Sequence, residues 1–294
     1  MARALENVLA SGPEATASPP APVRLQSAPP REAARTLARH LGHFHLEMLS
    51  LLGTRTAQLH LALASDPADE RFAPEPFSLL YQRSAYQSMR NLAKRTLATL
   101  RSRLAGLGDE NALQARDILA SEKTMLEVFS RFAAKKFVTV KTRLHGDLTL
   151  SRVLYTGKDF VFGDFEGDTG KPVSERRIKR SPLRDVAGLC LSMLFAAHAG
   201  SARLCRERQS DAAALAPWVE PLAFTAASAL WSGYREKAAG AAFVPASEET
   251  LWTMFHCFLL EHALGRLSKA LAGDLPDEVT SSLAALTGIM RALG

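Results

Sequence analysis

The sequence predicts a mainly α-helical fold with one small β-hairpin. Apolar residues recur at helical spacing over long stretches. Aromatic residues make up only 7% of the chain while alanine and leucine abound, which favours helix. Short β-branched and aromatic runs are confined to the middle of the chain, between Val138 and Phe165. With 294 residues, 47% of them hydrophobic and 22% charged, the chain can bury a real core in one or two domains.

Met1 to Ala10 suggests one or two helical turns. Ser11 to Pro30 holds six prolines and reads as an extended linker. Residues 1–30 are therefore expected to be a tail and proline-rich linker, and residues 31–294 a helical lobe. From Arg31 to Ala64 the positions Leu37, Leu41, Phe44, Met48, Leu51, Leu52, Leu59 and Leu63 predict an amphipathic helix. Asp66-Pro67 ends it, because proline disfavours helix at the residue before it. Leu79–Leu104 and Leu113–Phe137 predict two further long helices. Val138–Leu144, Val153–Tyr155 and Phe160–Phe165 read as strands, with Thr156-Gly-Lys-Asp159 as a hairpin turn. Ser181-Pro182 starts the next helix, with serine as cap and proline in the first turn, and it runs to about His198. Helices are also expected at Trp218–Lys237, Glu248–Leu271 and Glu278–Leu293.

A net charge of +6 and a pI near 9.4 imply weak attraction to anions. The basic residues are dispersed except for Arg176, Arg177, Lys179, Arg180 and Arg184. A solvated loop entering a helix explains that cluster better than a phosphate or acidic-partner contact, and nucleic acid is not expected. Cys190, Cys205 and Cys257 are odd in number and widely spaced, with no Cys-x-x-Cys, so neither a zinc site nor a disulfide framework is indicated. No apolar run reaches bilayer-spanning length. The N-terminus lacks the apolar core of a secretory signal, so a cytoplasmic location is expected. His40, His43 and His45 invite a metal reading, but only His40 and His43 share a helix face and no carboxylate completes a set.

The chemistry is concentrated in Leu144-His-Gly-Asp-Leu-Thr-Leu-Ser-Arg-Val-Leu154 and Phe160-Val-Phe-Gly-Asp-Phe-Glu166. Asp147 falls in a loop after a strand and Asp164 at the end of a strand one hairpin later. Transfer of a phosphoryl group from ATP to a hydroxyl needs such a pair. One carboxylate orients the hydroxyl and the other holds Mg²⁺ against the phosphates.

These segments resemble maltokinase, of the aminoglycoside-phosphotransferase-like kinases, and especially the module fused behind trehalose synthase. The resemblance extends over Leu52–Ser65, Phe72-Ala-Pro-Glu-Pro-Phe77, Leu80–Leu92, Tyr155–Asp159 and Pro172–Gly188, and covers Leu51 to Gly188 well. It implies a protein-kinase-like C-lobe, with ATP and Mg²⁺ as cofactors and maltose as substrate, phosphorylated at its anomeric hydroxyl to maltose 1-phosphate. It implies Asp147 as the catalytic carboxylate, Asp164 and Glu166 at the metal, and His145, Arg184 and Asp185 at the substrate, with loop support for His145 also implied by the resemblance; the residues themselves suggest helix-dipole placement for Asp185.

The chain also departs from the family. No Gly-rich strand–turn–strand or strand-borne lysine precedes Leu52, so a C-lobe lacking the N-lobe is expected. Arg152 stands where the family has a metal-ligating glutamine, with Thr149 and Ser151 replacing histidine and glycine. Guanidinium has no acceptor and stays charged, so it cannot bind Mg²⁺ but can occupy the cation's place beside Asp164. Gly163 replaces a branched apolar residue. His262, Gly265 and Lys269 replace a lysine and two tyrosines of the sugar pocket. The chain is therefore expected to be impaired or inactive alone. The other class considered is a non-catalytic, pseudokinase-like module that docks on trehalose synthase, another glucan enzyme or an N-lobe-bearing chain, or that self-associates.

Overall fold

A computed structural model describes residues 1–12, 31–207 and 212–293. The helices are α1 (Ala2–Ala10), α2 (Arg31–Leu41), α3 (His43–Leu63), α4 (Leu79–Arg103), α5 (Asp109–Ala120), α6 (Glu122–Ala134), the short α7 (Val173–Arg176), α8 (Leu183–Glu207), α9 (Ala212–Lys237), α10 (Glu248–Ala272) and α11 (Pro276–Leu293). Strand β1 (Glu75–Pro76) pairs antiparallel with β2 (Val140–Lys141), and β3 (Val153–Tyr155) with β4 (Phe160–Phe162). The mainly helical fold with a small hairpin is thus present.

Helix α8 lies at the centre, packed against α1, α9, α10 and α11, while α3 lies along α9 and α4 against α6 and α10. Phe77, Phe132, Phe137 and Phe258 form one aromatic cluster between the α4 start, α6 and α10. Gln82 ties the same region together. Its amide donates to the carbonyls of Phe132 and Lys135, and its oxygen accepts from the Phe137 N–H.

Several boundaries differ from expectation, each for a local reason. The helix expected over Arg31–Ala64 breaks at Gly42, whose φ of +84° separates α2 from α3. The helix expected over Leu113–Phe137 breaks at Ser121, whose hydroxyl bonds back to the Asp117 carbonyl at 2.8 Å. Of the strand expected at Val138–Leu144, only Val140 and Lys141 form a ladder, with an unforeseen partner in β1. Helix α9 begins at Ala212 although Pro217 and Pro221 lie inside it. Burial of Leu215, Trp218 and Leu222 outweighs the lost backbone bonds.

Helix α1 packs Ala4, Leu5 and Val8 into the core, and Asn7 donates to the His40 carbonyl at 2.8 Å. The expected linker lies, over residues 13–30, outside the described residues. The expectation that no apolar stretch reaches spanning length needs correction. Helices α8 and α9 are long and apolar enough by length and composition, but they bury much of that surface as core helices against each other and their neighbours.

The α3–α9 crossing fixes the position of everything α3 carries. A Cβ on Gly53 would lie 1.9 Å from the Leu230 carbonyl oxygen, and one on Gly233 would lie 2.0 Å from the Ser50 oxygen. Backbone cannot yield there as a flexible side chain would. Gly53→Ala is expected to destabilise by about 3 kcal/mol or more in urea denaturation followed by circular dichroism. Gly265→Ala, a helical site with nothing within 4 Å of the added carbon, should instead be neutral or stabilise by about 0.5–1 kcal/mol.

Candidate functional site

Helix α8 holds the loop that carries Asp147. Asp185, in its first turn, is 2% exposed and accepts the N–H groups of His145 at 2.7 Å and Gly146 at 3.0 Å. One turn on, Gly188 lets the Leu148 carbonyl approach to 2.6 Å of where a Cβ would be. One more turn on, the Ser192 hydroxyl accepts from the Leu150 N–H at 3.3 Å. Residues 185, 188 and 192 share one helix face, so a single stripe grips the loop three times.

Asp185 has a second support. Its Oδ2 accepts from His60 Nε2 at 3.2 Å, leaving His60 Nδ1 to the Tyr234 hydroxyl at 3.0 Å. His60 and Tyr234 are fully buried. Burial alone would raise the Asp185 pKa. Hydrogen bonds from His60 and Gly146 outweigh it and hold the carboxyl below the usual carboxylate range.

His145 carries the constraint on to the hairpin. It is 2% exposed, donates Nε2–H to the Gly163 carbonyl at 2.7 Å and accepts the Asp147 N–H at 3.4 Å through Nδ1. The hairpin is also clamped from α3. Arg55 forks onto Asp159 in its turn at 2.7 and 3.0 Å. Directly after Gly163, Asp164 adopts φ +58°, a left-handed backbone uncommon outside glycine and frequent at functional sites.

Asp147 is half-buried, and its carboxylate accepts no hydrogen bond among the described residues. Burial raises its pKa, Lys269 and Arg152 draw it back, and Asp168 pushes it up. Arg152 reaches both acidic groups, donating Nη1–H to Asp164 with Nη2 3.7 Å from Asp147. The guanidinium thus lies between the two carboxylates that would hold a metal. Among the described residues no three His, Cys, Asp or Glu side chains form a metal-binding group. A divalent cation does not fit this donor set, because its central member is itself a cation.

The remaining expected site residues scatter. Glu166 is exposed and uses its backbone carbonyl, which accepts from Arg176 at 2.9 Å. Arg184 turns away from the loop to fork onto Glu261 at 2.6 and 3.0 Å, its guanidinium 5.1 Å from the Phe258 ring centre. His145, Arg184 and Asp185, which the resemblance places at the substrate, are engaged inward here and hold the loop and helices in place. His262 donates to the Arg184 carbonyl at 2.9 Å, and burial and nearby Arg184 lower its pKa to about 4. Asp168 gave no signal in the sequence, and Lys269 figured there only as a departure from the resemblance. Asp168 accepts from Lys269 at 3.0 Å, and both act electrostatically on Asp147.

No protein-family model matches the chain. Among solved structures it is similar to glucosamine kinase. One crystal form has a TM-score of 0.66 at 20% identity, over 88% of this chain and 57% of that one. The same kinase in complex with glucosamine, ADP and inorganic phosphate gives 0.66 and 20%, over 88% and 58%. The likeness shows a shared, sugar-kinase-like fold, and the chain spans less than two thirds of the length of these neighbours.

The Asp185 network has a measurable pH signature. With its folded pKa below the unfolded value, Asp185 contributes stability above the unfolded carboxylate pKa, which is lost as pH falls through the folded one. Asp185→Asn should cost about 1–3 kcal/mol at neutral pH. The gap from wild type should close on acidification, as read from denaturation midpoints at stepped pH.

Proposed function

We propose that this chain is the saccharide-facing helical lobe of a maltokinase-like phosphotransferase, and that alone it does not convert ATP and maltose to ADP and maltose 1-phosphate. The observation that carries this reading is Asp147. Its loop is fixed from α8, α3 and the hairpin, yet its carboxylate is left without an internal hydrogen bond. A half-buried acceptor so placed suits a sugar hydroxyl. The raised pKa favours a group that can take a proton, though the lobe supplies only this half of the chemistry. In this reading residues 31–294 form the lobe, and helix α1, packed into its core, belongs with them.

Silence toward ATP follows from two features. Arg152 stands in the cation's place. Among the described residues no Gly-rich strand–turn–strand is available to cradle nucleotide phosphates. Calorimetry with ATP and Mg²⁺ is expected to show no saturable binding below about millimolar, and a micromolar Kd would reject the proposal. With maltose or glucosamine as titrant, Asp147→Asn should weaken any binding by about tenfold, the equivalent of one charge-assisted hydrogen bond. An unchanged affinity would remove Asp147 from the saccharide site.

A second reading, a non-catalytic docking module, is favoured by the outer face of the hairpin. Leu154 and Val161 are a cross-strand pair, 66% and 52% exposed, while Val153, Phe160 and Phe162 face the core. Such a pair suits a protein partner such as trehalose synthase or another glucan enzyme, an N-lobe-bearing chain, or a second copy. Sedimentation velocity at micromolar concentration is expected to show association that Leu154→Glu removes. A wild-type chain that sediments as a monomer, alone and with trehalose synthase, would leave the saccharide-binding reading by itself.

A further inference from the structure

We infer that the Arg152 guanidinium is a resident cation standing in for a divalent metal, and that this one side chain keeps the Asp147–Asp164 site closed to metal ions. The inference rests on the phosphotransferase reading only for the expectation that a metal belongs there. The closure itself rests on geometry.

The position of Arg152 is built into the backbone. The Leu150–Arg152 turn is held by Ser192 from α8, and the Arg152 N–H bonds to the Thr149 carbonyl at 3.0 Å. The Arg152 carbonyl accepts the Gly163 N–H at 3.0 Å. Residue 152 is therefore paired in register with the residue immediately before Asp164. Any side chain at 152 starts beside the Asp164 carboxylate, whose direction is set by the left-handed backbone at 164. A residue with an acceptor oxygen would add a third metal ligand there. Arginine offers only donors and a permanent charge.

Charge decides which cation the place holds. Asp147 and Asp164 supply two negative charges, and Arg152 already bridges them. A divalent ion within reach of both would also lie within a few ångströms of the guanidinium, where repulsion is strong even at the high effective dielectric of a surface site. An isolated surface ion pair would carry little weight. This one differs because one guanidinium serves two carboxylates and one of them sits on a strained backbone.

Free Mn²⁺, followed by its electron paramagnetic resonance signal during titration with the full chain, tests the inference without any measurement of turnover. Wild type is expected to bind no Mn²⁺ through Asp164. Arg152→Gln should bind it at least about tenfold more tightly than wild type, since a like charge is removed and an acceptor oxygen added. The double variant Arg152→Gln/Asp164→Asn should lose that gain. Arg152→Lys keeps the charge and should stay closed, which provides a folded control if Arg152→Gln melts early. Mn²⁺ bound by wild type and lost in Asp164→Asn would overturn the inference. So would a folded Arg152→Gln that binds no better than wild type, or an Arg152→Lys that binds as Arg152→Gln does. Any of these three results leaves the saccharide-binding reading standing. Failure to bind any saccharide would reject that reading and leave the metal result untouched.

Discussion

The carboxylate of Asp185 is the interaction on which the rest of the site depends. A buried charge is costly unless its lone pairs are used. Here the donors are two amides of the loop and one imidazole of another helix. The requirement works in both directions. The loop amides need an acceptor because they are withdrawn from water, and the carboxylate needs donors for the same reason. Three elements distant in sequence are thereby joined: α3 through His60, α9 through Tyr234 and the loop through His145 and Gly146. From His145 the constraint passes to the Gly163 carbonyl and so to Asp164. The separation of the two acidic residues is set by this chain of bonds.

Why some features were legible in the sequence and others were not follows from the range of the forces involved. Helix periodicity is a local property, so the existence of the long helices and the β3–β4 hairpin could be read directly. The breaks at Gly42 and Ser121 depend on a single backbone angle and a single hydroxyl, and periodicity continues across both. The β1–β2 ladder has two residues per strand, too short for alternation to show. Asp147 and Asp164 stood out because short loops with fixed spacing carry them. The roles of His60, Tyr234 and Lys269 did not, because each is one polar residue on a long helix whose partner lies far away along the chain.

Several residues in the matched segments acquire physical reasons in the fold. Gly53 permits the α3–α9 crossing, Arg55 clamps the hairpin turn and His60 supports Asp185. Glu75 meets Lys141 at 2.8 Å and Lys179 at 2.9 Å, and so joins the strand pair to the basic segment. That segment was expected to be mainly solvated. Lys179 is instead buried, donating to the Glu70 and Ala73 carbonyls, and Arg184 is committed to Glu261. Much of the cluster's charge is thus spent on internal structure, which weakens the case for an extended anion-binding face.

Backbone and charge at this site are set at different levels of the structure. The loop, the hairpin and the left-handed turn at Asp164 are positioned by α8, α3 and their hydrogen bonds, none of which involves the side chain of residue 152. Holding a non-glycine residue in that turn costs on the order of 1–3 kcal/mol, a strain that the surrounding bonds must offset whichever cation lies between the carboxylates. A scaffold of this kind can exchange one cation for another at a single position without moving the acidic groups. On the proposed reading, the chain combines a backbone suited to a hydroxyl acceptor and a metal with a charge arrangement that excludes the metal. On that reading these properties are separable, so closing the site to a metal need not remove a saccharide contact at Asp147.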